Sequence, residues 1–158
     1  FIKPMIDFSL NLKKIQQQIT TVPKGSTEER QLDMERRNSY LQLENAWKGQ
    51  NVKLMLNNLA SEWAVPELRE HISYFMGLAK MELAIRAEMR YLRNPTAPWP
   101  AATPTPAEQY AAAAEWFNRY EALVIPMSGN LWLDAVKLRK QECLSKKAEL
   151  QMLMANAK

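Results

Sequence analysis

The chain contains one histidine, His71, and one cysteine, Cys143. Any nucleophile activated by imidazole, whether in a Ser–His–Asp or a Cys–His arrangement, would have to use His71. A helical di-iron centre wants Glu-x-x-His on two helices. With a single histidine, and Leu68 three positions before it, that site cannot be assembled. A HExxH zinc site needs two histidines and fails for the same reason. The plainer reading of His71 is a hydrogen-bonded histidine at the edge of a core. Cys143 has Lys140 and Lys147 one turn away on either side, and such cations activate a thiol only where it is exposed. On an apolar helix side it reads instead as a small buried hydrophobe. Four glycines leave no GxGxxG or Walker sequence for a phosphate loop. Glu67, Glu70, Glu82 and Glu88 lie at helical spacing beside Arg69, Arg86 and Arg90, as expected of solvated ion-pair faces. No catalytic residue, metal ligand or cofactor is expected, and enzymatic activity is not favoured.

The residues that would position any site are helix formers. Of 158 residues, 19 are Leu, 19 Ala and 9 Met, against 7 Ile and 5 Val. Unbranched side chains lose little rotamer freedom in a helix, whereas β-branched ones lose more. The apolar share of 47% and charged share of 24% are those of a globular domain. The expected fold is all-α: an irregular bundle of about five helices with an N-terminal amphipathic arm and a Pro-rich connector.

Met5, Phe8, Leu12, Ile15, Ile19 and Val22 recur at alternating spacings of three and four. This seam resembles that of a coiled coil and is the sharpest periodicity in the chain. Pro23, Lys24 and Gly25 end it. Ser26 or Thr27 caps the next helix, which stays polar through residue 39. Apolar density then rises over 40–64, with Gly49 as an interruption or kink. The chain accordingly divides into an arm, 1–23, a polar helical linker, 24–39, and a bundle, 40–158.

Residues 66–93 carry two stripes. Leu68, Ile72, Phe75, Met76, Ala79 and Leu83 form one; Leu78, Met81, Ile85, Met89 and Leu92 form the other. Two stripes predict two packing surfaces and a central helix. Five prolines over 94–106 predict a stiff, extended connector. Thr105 and Pro106 open a helix whose run from Ala111 to Ala114 permits close approach to a neighbour. Pro126, Ser128 and Gly129 predict a turn, and a last helix starts near Asn130.

Within the connector, Pro95-Thr96-Ala97-Pro98 resembles the late-domain tetrapeptide presented to ubiquitin-variant domains. Pro95, Pro98, Trp99 and Pro100 read more broadly as a polyproline II segment able to dock in an aromatic groove. The plainer alternative is a connector anchored on the core by Trp99. Ala112, Trp116, Tyr120 and Leu123, followed by a turn and a second helix, are similar in outline to a tetratricopeptide hairpin, without the full repeat pattern.

The net charge is +4. Arg36-Arg37 and Lys137 to Lys147 alternate with acidic residues, unlike the dense basic stripe of a nucleic-acid binder. The lone cysteine favours a reducing compartment, no apolar run suits a membrane span, and the start at Phe1 is compatible with a targeting peptide removed earlier. The function expected is that of a non-catalytic helical subunit: an adaptor, scaffold or assembly factor in a larger complex. Partner contact or self-association is expected through Met5, Phe8, Leu12, Ile15, Ile19 and Val22. The alternatives are a nucleic-acid-associated helical protein and an enzyme or cofactor-binding bundle whose site is unrecognised.

Overall fold

The computed structural model describes residues 1–124 and 132–156. The described residues form six α-helices and a short 3-10 turn, with no strand: α1 (Ile2–Ile19), α2 (Thr27–Trp47), α3 (Val52–Ser61), the turn Pro66–Leu68, α4 (Arg69–Arg93), α5 (Pro106–Leu123) and α6 (Leu133–Asn156). The chain is the all-α bundle its composition predicts. The turn around Pro126, Ser128 and Gly129, and the expected helix start at Asn130, lie outside the described residues.

The helix ends follow local chemistry. The Ser26 hydroxyl accepts from the Glu29 N–H, and Glu28 and Glu29 occupy the favourable end of the α2 dipole. Gly49, with φ of 85°, separates α2 from α3. A side chain there would pay for left-handed backbone. Asn51 then caps α3 by accepting from the Leu54 N–H. Gly49 is thus an interruption and not a kink, and residues 40–64 are divided between two helices. Thr105 and Glu108 form a reciprocal capping box at the start of α5, with Pro106 in its first turn.

The packing corrects the division into arm, linker and bundle. α2 runs unbroken through residue 39, so no boundary separates a polar linker from the bundle. Met5, Phe8, Leu12 and Ile15 are buried, and Met5, Phe8 and Leu12 belong to the main apolar core. Asn11 Nδ2 donates to Ser39 Oγ at 2.9 Å, tying α1 to α2. Ile19 and Val22 are half-buried. The N-terminal seam thus serves the chain's own core and is not a free arm.

Six rings gather where four helices meet. Trp132, just ahead of α6, stacks on Tyr74 at 4.2 Å between centroids. It meets Tyr40 edge-on at 4.6 Å and Phe75 at 5.4 Å. Phe8 lies over it at 5.6 Å, and His71 approaches both Phe8 and Trp132. Aromatic pairs in these geometries add about 0.5–1.5 kcal/mol each beyond their area burial. The cluster joins α1, α2, α4 and the start of α6.

α4 and α5 form the most extensive helix pair. A Cβ at Gly77 would stand 2.5 Å from the Phe117 ring, so the helices meet closer there than any side chain permits. Ala113 and Ala114 are buried on the facing side of α5. α6 contributes a narrow seam, Val136, Cys143 and Leu150, spaced by seven residues.

Candidate functional site

The residues that could carry chemistry are committed to the core. His71 is buried, and its Nδ1 atom has no hydrogen-bond partner. Burial holds its pKa down at about 4, so the ring is neutral at physiological pH. The expected histidine at the core edge is instead an interior one, packed against rings. Cys143 is fully buried, and loss of solvation, with Glu142 adding, pushes its thiol up to about 11. It is not an activated nucleophile. Among the described residues, no group of three His, Cys, Asp or Glu side chains could hold a metal.

The ion-pair faces divide in two. Glu82 pairs with Arg86 at 2.6 Å on the surface of α4, as its spacing predicts. Glu88 does something different. Tyr110 of α5 donates its hydroxyl to Oε1 at 2.8 Å, and Lys146 of α6 donates to Oε2 at 3.0 Å. The Glu88 side chain is largely buried and fastens three helices at one carboxylate. The hydrogen bond to Glu88 raises the Lys146 pKa. Sequence spacing could not reveal this hub, since Tyr110 and Lys146 are remote in the chain.

Four residues of the basic runs are paired. Arg36 and Arg37 both bind Asp33, Lys140 binds Glu121 at 3.1 Å, and Lys146 binds Glu88.

The Pro-rich connector is not extended. Backbone bonds from the Ala97 N–H to the Asn94 carbonyl and from the Thr103 N–H to the Pro100 carbonyl fold it into two turns. Trp99 Nε1 donates to the carbonyls of Thr103 and Pro104 at 3.2 and 3.1 Å. The Arg90 guanidinium lies 5.1 Å from the ring centroid. Pro95, Pro98 and Pro100 are exposed, but the tryptophan that would anchor docking is already held. The anchored-connector reading describes the segment.

What remains unpartnered is the second stripe of α4. Its start, at Leu78 and Met81, packs partly against the core. Ile85, Met89 and Leu92 are 40%, 51% and 54% exposed, and Leu138 of α6 is 59% exposed. An open groove of about 550 Å³ runs between α4 and α6, with Met81, Ile85, Leu138 and Tyr110 among its walls. A second recess of about 320 Å³ continues it along Leu78 toward Trp47. The expectation that both α4 stripes are covered fails over this half, because α6 turns polar side chains such as Gln141 and Ser145 toward the groove.

No helix among the described residues is long and apolar enough to cross a membrane. Comparison of the chain with protein-family models, with curated proteins and with solved structures finds no match.

Proposed function

We propose that this protein is a non-catalytic helical subunit of a larger protein assembly, and that the α4–α6 groove receives its partner. The observation that carries the reading is the exposed stripe Ile85, Met89 and Leu92, which enters the groove at Ile85 and continues beyond it, on a helix whose other stripe is core. The burial of α1 moves the expected contact from the N-terminal seam to this groove.

The occupant we assign is an amphipathic helix from another protein. From Leu78 to Leu92 the stripe is about 20 Å long at the rise of an α-helix, roughly four turns. Its spacing of three and four matches ridges-into-grooves packing. Glu44, Glu82, Glu142 and Glu149 line the two recesses, where carboxylates outnumber cations. Lys or Arg flanking the partner's apolar stripe would complement them.

The test is affinity purification of the full chain and of an Ile85→Lys/Met89→Lys variant from the native source. Both positions are exposed, so the variant keeps its helical circular dichroism. The partner is expected to co-elute with the wild type and to vanish from the variant's eluate. An unchanged set of co-eluting proteins overturns the proposal. So does a dimer of the chain alone in light scattering that the variant disperses, because the occupant is then a second copy.

A further inference from the structure

A separate cleft lies on the other side of α4, between that helix, α5 and the folded connector. It encloses about 500 Å³, and its apolar walls include Leu83, Ala87 and Ala112. Lys53, Lys80, Arg86 and Arg90 surround it, against one carboxylate, Glu108. Two of these charges are spent. Arg86 pairs with Glu82, and Glu108 accepts from the Thr105 N–H in the α5 capping box. Lys53, Lys80 and Arg90 have no carboxylate partner among the described residues. Lys53 stands in the first turn of α3, where the helix dipole disfavours a cation; local helix stability does not call for it.

The arrangement of the cations selects the ligand. Lys80, Leu83, Ala87 and Arg90 share one face of α4 at spacings of three, four and three, which separates Lys80 from Arg90 by about 15 Å along the axis. Arg90 lies over Trp99, a contact it would give up if it leaned toward Lys80 to close on a single small anion. The cleft therefore has two positive poles with an apolar floor between them. Arg90 already lies over one face of Trp99 and the ring N–H is engaged, so this ring offers a base less than an open stacking platform would. We propose that this cleft binds an acidic peptide segment of a partner protein. Carboxylates roughly four to five extended residues apart would meet the two poles, and an apolar side chain between them would rest on Leu83 and Ala87. The site stands on different residues from the α4–α6 groove and does not depend on it.

The experiment is fluorescence anisotropy on the full chain. The probe is a labelled peptide with paired glutamates at either end and leucines between. The controls are the same peptide with glutamine for glutamate, a single-stranded DNA oligonucleotide, and inorganic phosphate as competitor. The acidic peptide is expected to bind at least tenfold more tightly than its glutamine counterpart, and to weaken as salt is added. A Lys53→Glu/Lys80→Glu variant with unchanged circular dichroism should lose at least tenfold in affinity; Arg90→Gln, at the opposite pole, should lose affinity as well. The Ile85→Lys/Met89→Lys variant should bind as the wild type does, which separates this site from the groove. Equal binding of the two peptides, no binding of either, or full binding by the Lys53→Glu/Lys80→Glu variant overturns the proposal. Tighter binding of the DNA, or complete displacement by millimolar phosphate, overturns it in favour of a nucleic acid or a small anion.

Discussion

His71 illustrates how little a residue type says before its surroundings are known. The only imidazole in the chain sits among the rings of Phe8 and Trp132 with Nδ1 unpartnered. Its pKa is held down at about 4 by burial, against an unfolded value near 6.5. Between those values the unfolded chain binds a proton that the folded chain does not, so this contribution destabilises the fold as pH falls through the window. A depression of that size corresponds to about 3 kcal/mol at most. Urea unfolding should therefore show the wild type losing stability from pH 7 to pH 4, and His71→Phe losing less by up to that amount. Parallel pH profiles for the two proteins would show that the ring titrates normally in the fold. Cys143 follows the same logic with the opposite sign, since burial raises an acid that must lose a proton to become charged.

Helix pairing depends on features that periodicity reaches only in part. The alanine run in α5 announces close approach, and α4 and α5 do approach closely. The contact point is nevertheless Gly77 against Phe117, and nothing in the spacing singles out that pair. Gly77→Ala should gain about 1 kcal/mol of helix propensity, yet force a methyl group into a fully buried ring, at about 1–3 kcal/mol. A lowered thermal midpoint is expected, partly restored by adding Phe117→Leu, which frees space. A midpoint raised by Gly77→Ala alone would mean that the helices are free to separate. Glu88 teaches a related lesson. Its chain neighbours suggest a surface ion pair, but tertiary contact gives it Tyr110 and Lys146.

For the whole molecule, the decisive fact is where α1 lies. Its seam has the narrow spacing of a coiled-coil strand, which suits a partner's helix and the chain's own bundle equally. The structure uses it for the bundle. Burying four large apolar side chains is worth about 1.5–3 kcal/mol each, together comparable with the ~5–15 kcal/mol stability of a whole domain. Deleting residues 1–22 would uncover Tyr40, His71 and Trp132. The shortened chain should lose its cooperative thermal transition and bind a hydrophobic dye. A cooperative melt within a few degrees of the full-length protein would instead identify residues 1–22 as the dispensable arm that their spacing first suggested.

The sequence alone determines the helical class and several helix ends. These are properties of composition and of capping and turn residues, which act over a few positions: Ser26, Thr105 and Gly49 do locally what their types predict. The tertiary structure alone decides which apolar stripes are spent. The seam of α1 and the outer stripe of α4 look alike as patterns, because periodicity records that a face is apolar and not what lies against it. Closure of the bundle buries Met5, Phe8, Leu12 and Ile15 and leaves Ile85, Met89 and Leu92 in solvent. It also brings Lys53 of α3 beside the face of α4 that carries Lys80 and Arg90, around one cleft. Only three-dimensional packing makes neighbours of such residues.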